Sequence, residues 1–242
     1  MSRLLTEDRL QAVVPELATA PTIPAYLEHH YWWAYVHPRA VRVFERDWLV
    51  NLILFGNYRR LRDRAMMALG TPLAGSTLQV ACVYGNLTPR LIQRLEPDAK
   101  LRVVDILPVQ LGNLSRKIPD DARVTLVQGD SSALTDADAS HDQVLLFFLL
   151  HEQPENTRRA TLREALRVVK PGGRVVIVDY HRPHRWHPLR PLMKWIFARL
   201  EPFAHDLWEH PLDDYLPADI TCQRIQRSTW FGGLYQLLVL ER

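Results

Sequence analysis

The stretch Thr77 to Arg90, TLQVACVYGNLTPR, constrains the fold more than any other part of the chain. Leu78–Cys82 reads as a buried strand, Tyr84-Gly85-Asn86 as a tight turn, and Thr88-Pro89 as the start of a helix. Strand, glycine turn and helix in that order open a Rossmann-type unit, which receives a nucleotide-like ligand at the carboxyl end of its strand. This turn is irregular. Sites of that kind ordinarily carry several glycines, so that backbone can approach the ligand closely. Here Gly85 stands alone, with Ala81 and Val83 where glycines are expected and Gln79 where an acid is common.

Downstream, strand and helix patterns alternate. Strands are predicted over 101–105, 124–127, 143–149 and 174–180, with helices over 89–95, 109–118 and 156–169, the last stopped by Pro171-Gly172-Gly173. The run at 143–149 is apolar throughout, as suits a parallel strand buried on both faces. Residues 222–229 and 234–241 read as an antiparallel hairpin around Gly232-Gly233. The fold class is therefore α/β, a mostly parallel Rossmann-like sheet closed by an antiparallel hairpin. Residues 1–70 form a helical, aromatic-rich N-terminal cap, in which Pro38 starts one helix and 58–69 form another that ends at Gly70. Residues 71–242 form the Rossmann-like domain, with an aromatic, proline-punctuated insertion at 186–217.

Composition narrows the function classes. The net charge of +3 is spread along the chain rather than gathered in one block, which argues against a nucleic-acid partner. Cys82 and Cys222 lie in apolar runs, so the expectation is reduced core cysteines in a cytoplasmic protein. No secretory leader and no apolar run long enough to cross a bilayer is read from the sequence. No oligomeric state follows from it.

The residues that carry chemistry fall at predicted strand ends. Asp105 ends the second strand, where an acid can accept both hydroxyls of a ribose; the alternative is a helix cap. Asp130 follows the third strand in GDSS and can accept from an adenine amino group, or can simply cap a turn. His151-Glu152 follow the fourth strand, placed either for acid–base work and metal binding or for capping the loop. Asp179, Tyr180 and His181 end the fifth. Tyr84 either packs on a ligand or lies on the surface of the turn.

Two segments are unusually aromatic or amphipathic. His29, His30, Tyr31, Trp32, Trp33, Tyr35 and His37 cluster near the N-terminus, and adjacent tryptophans cannot face one core on a helix. They read as a lid over an aromatic or isoprenoid substrate, a membrane interface, or packing against the sheet. Leu189–Leu200 places Leu189, Leu192, Met193, Ile196, Phe197 and Leu200 on one side with basic residues and Trp195 around them, which fits an interfacial helix, core packing or a dimer contact.

The motif order over 45–242 resembles the class I S-adenosylmethionine (SAM) methyltransferases. NLILFGNYRRLRDRAM, LLHEQPENTRRATLREALRVVKPGGRVVIVDYHRP and WFGGLYQLLVL resemble segments of the quinone-biosynthesis C-methyltransferases among them. The pairing of YLEHHYWWAYVHPRAVRVFERDWLVNLILFGNY with VACVYGNLTPRL is similar to the RquA family of rhodoquinone biosynthesis, which has the same VYG turn. That resemblance implies conversion of ubiquinone to rhodoquinone, with a ring methoxy group replaced by an amino group. It implies SAM as amino donor, support from a divalent metal such as manganese, and peripheral attachment at the cytoplasmic side of the inner membrane. Tyr58, Val83, Tyr84, Gly85, Asn86, Asp105, Ile106, Asp130 and Ser131 are then the expected SAM site. Tyr31, Trp32, Trp33 and His37 are the expected substrate contacts. His151, Glu152 and Tyr180 are the candidate catalytic residues, and His151, Glu152 and Asp179 the candidate metal ligands by pocket position alone. The competing readings are an ordinary methyltransferase acting on a quinone or lipid ring, and a non-catalytic relative that binds a lipid or a partner.

Overall fold

The structure is a computed structural model, and it describes residues 22–31 and 44–242. Among these, helices run over Ala25–His30 (α1), Asp47–Ile53 (α2), Tyr58–Leu69 (α3), Leu87–Ile92 (α4), Pro108–Lys117 (α5), Glu155–Val168 (α6), Arg190–Leu200 (α7) and Asp206–Glu209 (α8). Strands run over Ser76–Val80 (β1), Lys100–Asp105 (β2), Val124–Gln128 (β3), His141–Phe147 (β4), Val169–Tyr180 (β5), Arg224–Trp230 (β6) and Tyr235–Glu241 (β7). The strands make one seven-stranded sheet in the order β3-β2-β1-β4-β5-β7-β6. β1 to β5 pair in parallel and β7 is antiparallel to both β5 and β6, as the hairpin pattern requires. The strand order reverses at β1, whose neighbours are β2 and β4, and the crevice above that switch point is where such sheets bind ligands.

The period of two along each strand divides the core between the faces. Leu145, Phe147, Val176 and Val178 pack with Tyr58, Leu61, Ala65, Met66 and Leu69 of α3 on one face. Val144, Leu146, Val175 and Ile177 pack with Leu162, Ala165 and Leu166 of α6 on the other. The helix at 58–69 lies where the sequence puts it, with Gly70 past its end at φ 114°. It shares its core with the sheet and so belongs to the α/β body.

Several boundaries differ from expectation, the first strand among them, which ends at Val80 before the positive φ of Ala81 rather than at Cys82, and two more have physical reasons. β5 begins at Val169 and runs through the Pro-Gly-Gly segment, whose register shifts between His141 and Gln143; Gly173 leaves no room for a Cβ beside the Asp142 carbonyl. β4 stops at Phe147 because Phe148 takes a positive φ of 53°, a costly conformation for an aromatic residue. α7 also departs from its predicted single apolar side. Met193 and Phe197 are buried, with Phe197 against Tyr180 and Trp208, whereas Leu192, Trp195 and Leu200 are exposed. The predicted helix start at Pro38 lies outside the described residues.

Candidate active site

The turn after β1 is built without its usual glycines, and each departure has a local explanation. Ala81 adopts φ 71°, the left-handed conformation a glycine ordinarily supplies, and its N–H donates to the Val104 carbonyl (2.7 Å). Gln79 is fully buried. Its amide donates to the Ala81 carbonyl (2.9 Å) and accepts from the Thr88 hydroxyl (2.9 Å). A carboxylate could not make the first bond, so the amide suits this turn. Gly85, at φ 81°, is needed because a Cβ there would sit 2.6 Å from the Tyr58 hydroxyl oxygen. That hydroxyl donates to the Tyr84 carbonyl (3.2 Å) and accepts from the Asn86 N–H (2.9 Å), clamping the turn from α3.

Glu45 closes the other side. It accepts from the Gly85 N–H (3.1 Å), the Asn113 amide (2.5 Å) and Lys117 (2.5 Å), while Lys117 also reaches the Val83 and Gly85 carbonyls. The neighbouring Phe44 ring stacks on Tyr84 at 6.1 Å, and the Tyr84 hydroxyl accepts from Gln110 (2.8 Å). The backbone donor of the lone glycine is thus already committed to a carboxylate of the chain itself.

One cavity of about 210 Å³ opens above the carboxyl ends of β1, β2 and β4. That is larger than the ~150 Å³ that houses a benzene ring. Its lining includes Tyr58, Val83, Tyr84, Asp105, Ile106, Asp130 and Ser131 of the predicted cofactor residues, and Tyr31, His151, Glu152 and Tyr180 of the predicted substrate and catalytic ones. Gly85 and Asn86 do not line it, since the turn holds them against Glu45 and Tyr58. Trp32, Trp33 and His37 lie outside the described residues. Sequence reasoning passed over Glu201, Gln153, Gln110 and Tyr26, all of which line the cavity. Gln153 stands next to the quoted His-Glu pair and was within reach. Glu201 follows an amphipathic helix with no local signal, and only the tertiary fold brings it in.

Asp105 accepts from the N–H groups of Leu107 (2.8 Å) and Cys82 (2.6 Å). Burial pushes its carboxyl up to about 6, against those two donors. One oxygen of Asp130 accepts from the Ser132 N–H (2.8 Å) and hydroxyl (2.7 Å), so the turn-capping role is present together with the cavity position.

At the far end, Asp179 lies fully buried beneath His151. Its oxygens accept from His151 Nδ1 (2.9 Å) and from the backbone N–H groups of Leu150 (2.9 Å), His151 (3.3 Å) and Tyr180 (2.7 Å). His151 Nε2 faces Glu201 at 3.6 Å and Glu152 at 3.7 Å. Burial alone would lower the imidazole, but Asp179, Glu201 and Glu152 outweigh it and raise His151 to about 9. Burial pushes the Tyr31 and Tyr180 hydroxyls upward, so neither supplies a phenolate near neutrality. This corrects the metal reading. Asp179 is used up by four N–H donors, and no set of three or more His, Cys, Asp or Glu residues among the described residues is arranged to hold a metal. The divalent ion therefore receives no step here.

The turn that carries His151 is held by Arg158. This guanidinium is fully buried and donates to the carbonyls of Leu150 (2.9 Å), Gln153 (2.9 Å) and Phe203 (2.8 Å), while packing over the Tyr215 ring. It joins the His151 turn to the segment that follows Glu201.

The sequence profile of the ubiE/COQ5 methyltransferase family matches residues 38–216. The chain belongs to the ubiE/COQ5 methyltransferase family. Among curated relatives, this family member is 27% identical to the demethylmenaquinone methyltransferase of Lactiplantibacillus plantarum over 196 residues, covering 79% of this chain and 78% of that one. It is 31% identical to the enzyme of that name from Staphylococcus aureus over 162 residues, covering 65% and 64%. It is 27% identical to the one from Bacillus licheniformis over 146 residues, covering 58% and 62%. The chain thus spans just under two thirds of the length of the last two. Solved structures agree on the fold. Human N-acetylserotonin methyltransferase in complex with SAM aligns at TM-score 0.59 and 14% identity, covering 91% of this chain and 60% of that one. A SAM-dependent methyltransferase from Aquifex aeolicus aligns at 0.55 and 16%, covering 84% and 97%. The fold is therefore that of the SAM methyltransferases, and family membership makes SAM the cofactor.

Proposed function

We propose that this chain transfers a group from SAM to the ring of a quinone, and that the group is the amino group, exchanged for a ring methoxy of ubiquinone. The observation that carries the reading is the cavity above β1, β2 and β4. Its Asp105 and Asp130 end offers acceptors for a ribose and an adenine, and its Phe147, Phe148 and Tyr180 end offers an aromatic slot beside His151. The name its relatives share, demethylmenaquinone methyltransferase, supports a quinone as the ring.

Support for amino rather than methyl transfer comes from the turn. The Ala81 methyl group stands where backbone alone is usual, and Glu45 holds the Gly85 N–H. On this reading the Ala81 methyl group lies where the reactive end of SAM would sit and Gly85 is held back from the cavity, while Asp105 keeps the place of the ribose acceptor. The second reading, ordinary methylation of a quinol ring, is favoured by the family itself. The two separate in one experiment. The protein is incubated with a short-tailed ubiquinone and SAM labelled with heavy nitrogen at its amino group and deuterium at its methyl group, with and without manganese. Mass spectrometry of the quinone then shows retained nitrogen with loss of a methoxy group on our reading. A deuterated methyl group on the ring refutes it in favour of methylation.

Peripheral attachment at the cytoplasmic face of the inner membrane belongs to the same reading. It is supported by α2, where Trp48, Leu52 and Ile53 are exposed and Ile53 also lines the cavity. Trp48→Glu is expected to abolish flotation with anionic liposomes, and unchanged flotation counts against this attachment.

A further inference from the structure

His151 is held so that its outward nitrogen gives a hydrogen bond rather than takes one. Nδ1 is bonded to Asp179 at 2.9 Å, and Nε2 faces Glu201 at 3.6 Å and Glu152 at 3.7 Å. A bare lone pair turned toward two carboxylates is repelled, whereas an N–H is attracted. Carboxylates on both sides of the ring therefore favour a proton on each nitrogen. The two outer distances exceed hydrogen-bond length. The Nε2–H is thus drawn toward the carboxylates without being consumed by them, and the ring lines the cavity. The other titratable groups beside this cluster among the described residues are Tyr26, Tyr31 and Tyr180, all held neutral by burial. Glu201 is raised by burial and drawn back down by His151. Such a cluster is poorly suited to remove a proton from a quinol hydroxyl and well suited to donate to a carbonyl oxygen.

We propose that His151 donates a hydrogen bond from Nε2 to a ring carbonyl oxygen, that Glu201 and Asp179 are its positioning residues, and that the pocket takes the oxidised quinone ahead of the quinol. This rests on the quinone reading above and deepens it. A hydrogen bond at the carbonyl draws electrons from the ring and makes the methoxy-bearing carbon electrophilic. An amine can then add there and methanol can leave. The ring–OCH₃ bond breaks, a ring–N bond forms and the amine proton departs with the methoxide, with nothing oxidised or reduced; the nitrogen is then bonded to both the ring and the SAM Cα, and that N–Cα bond must break in a separate step to free the aminoquinone.

The test is equilibrium binding of a short-tailed ubiquinone, oxidised or chemically reduced, to the full chain with S-adenosylhomocysteine under anaerobic conditions. It is run from pH 7 to 10 on the native protein, His151→Asn and Glu201→Gln. The native protein is expected to bind the oxidised form at least tenfold more tightly, holding that affinity below about pH 9 and losing it above. His151→Asn should erase the preference. Glu201→Gln should move the midpoint to lower pH, because one of the charges that stabilises the protonated ring is gone. Equal or tighter quinol binding by the native protein, or a preference that survives in His151→Asn, overturns the proposal while leaving the quinone reading standing. An unmoved midpoint in Glu201→Gln removes Glu201 from it. Failure of both ring forms to bind sinks the quinone reading and this inference with it.

Discussion

Ala81→Gly restores a glycine to the turn, and the structure gives the sign and size of the effect. Ala81 sits at φ 71°, a conformation that costs an L-residue about 1–2 kcal/mol relative to glycine. It is only partly buried, on the wall of the cavity, so removing its methyl group leaves no void in the core. Against the relief stands the added freedom of glycine in the unfolded chain, about 0.4–1 kcal/mol. The net expectation is a gain of about 0.5–1 kcal/mol, or a rise in Tm of about 1–4 °C for a chain of this length. Scanning calorimetry without ligand measures it, and S-adenosylhomocysteine titrated into both proteins reports whether the methyl group also shapes the cofactor pocket. A fall in Tm of more than about 2 °C would refute the reasoning, because the methyl group would then be contributing packing that outweighs its backbone strain.

Gly85→Ala should act in the opposite direction, since its Cβ would meet the Tyr58 hydroxyl at 2.6 Å in a positive-φ position; a loss of about 2–4 kcal/mol in urea unfolding is expected. Tyr58→Phe removes both hydroxyl bonds to the turn while keeping the ring, so S-adenosylhomocysteine affinity should fall several-fold with a Tm change small by comparison. Asp105 carries a carboxyl raised to about 6, and it accepts best when ionised. SAM affinity should therefore hold above pH 6 and fall as the pH drops through it, and Asp105→Asn should bind weakly with that pH dependence absent, as calorimetric titration at several pH values can check.

Much of the fold was legible because it follows from periodicity. Alternating apolar runs located the strands, the Gly232-Gly233 pair located the hairpin, and Gly70 marked the end of α3 to the residue. Asp105, Asp130, His151 and Tyr180 were legible for a related reason: each ends or follows a strand at the ligand-facing edge of a parallel sheet, a position that topology fixes. Other features come from three-dimensional packing, which no local pattern encodes. Phe148 reads as one more apolar residue in a strand, yet it turns the chain at φ 53° and ends β4 early. Asp179 has the residue type of a metal ligand but spends its oxygens on four neighbouring N–H groups. The apolar residues of α7 divide between core and solvent: Met193 and Phe197 are buried and Ile196 packs beside them, while Leu192 and Leu200 are exposed. Glu201 stands fifty positions from His151 in sequence and meets it only after α6 and β5 have folded between them.

Arg158 bears on how this scaffold can be re-engineered. Its three carbonyl contacts fasten the His151 turn to Phe203, inside the 186–217 insertion. The insertion is therefore not an interchangeable cassette laid over a fixed α/β body. A graft of the corresponding segment from a relative would leave a buried guanidinium short of an acceptor, unless the donor segment presents a carbonyl at the position of Phe203. The conformation of the insertion and the aim of His151 are thus inherited together, and a library intended to alter one should vary Arg158's partners along with the segment itself.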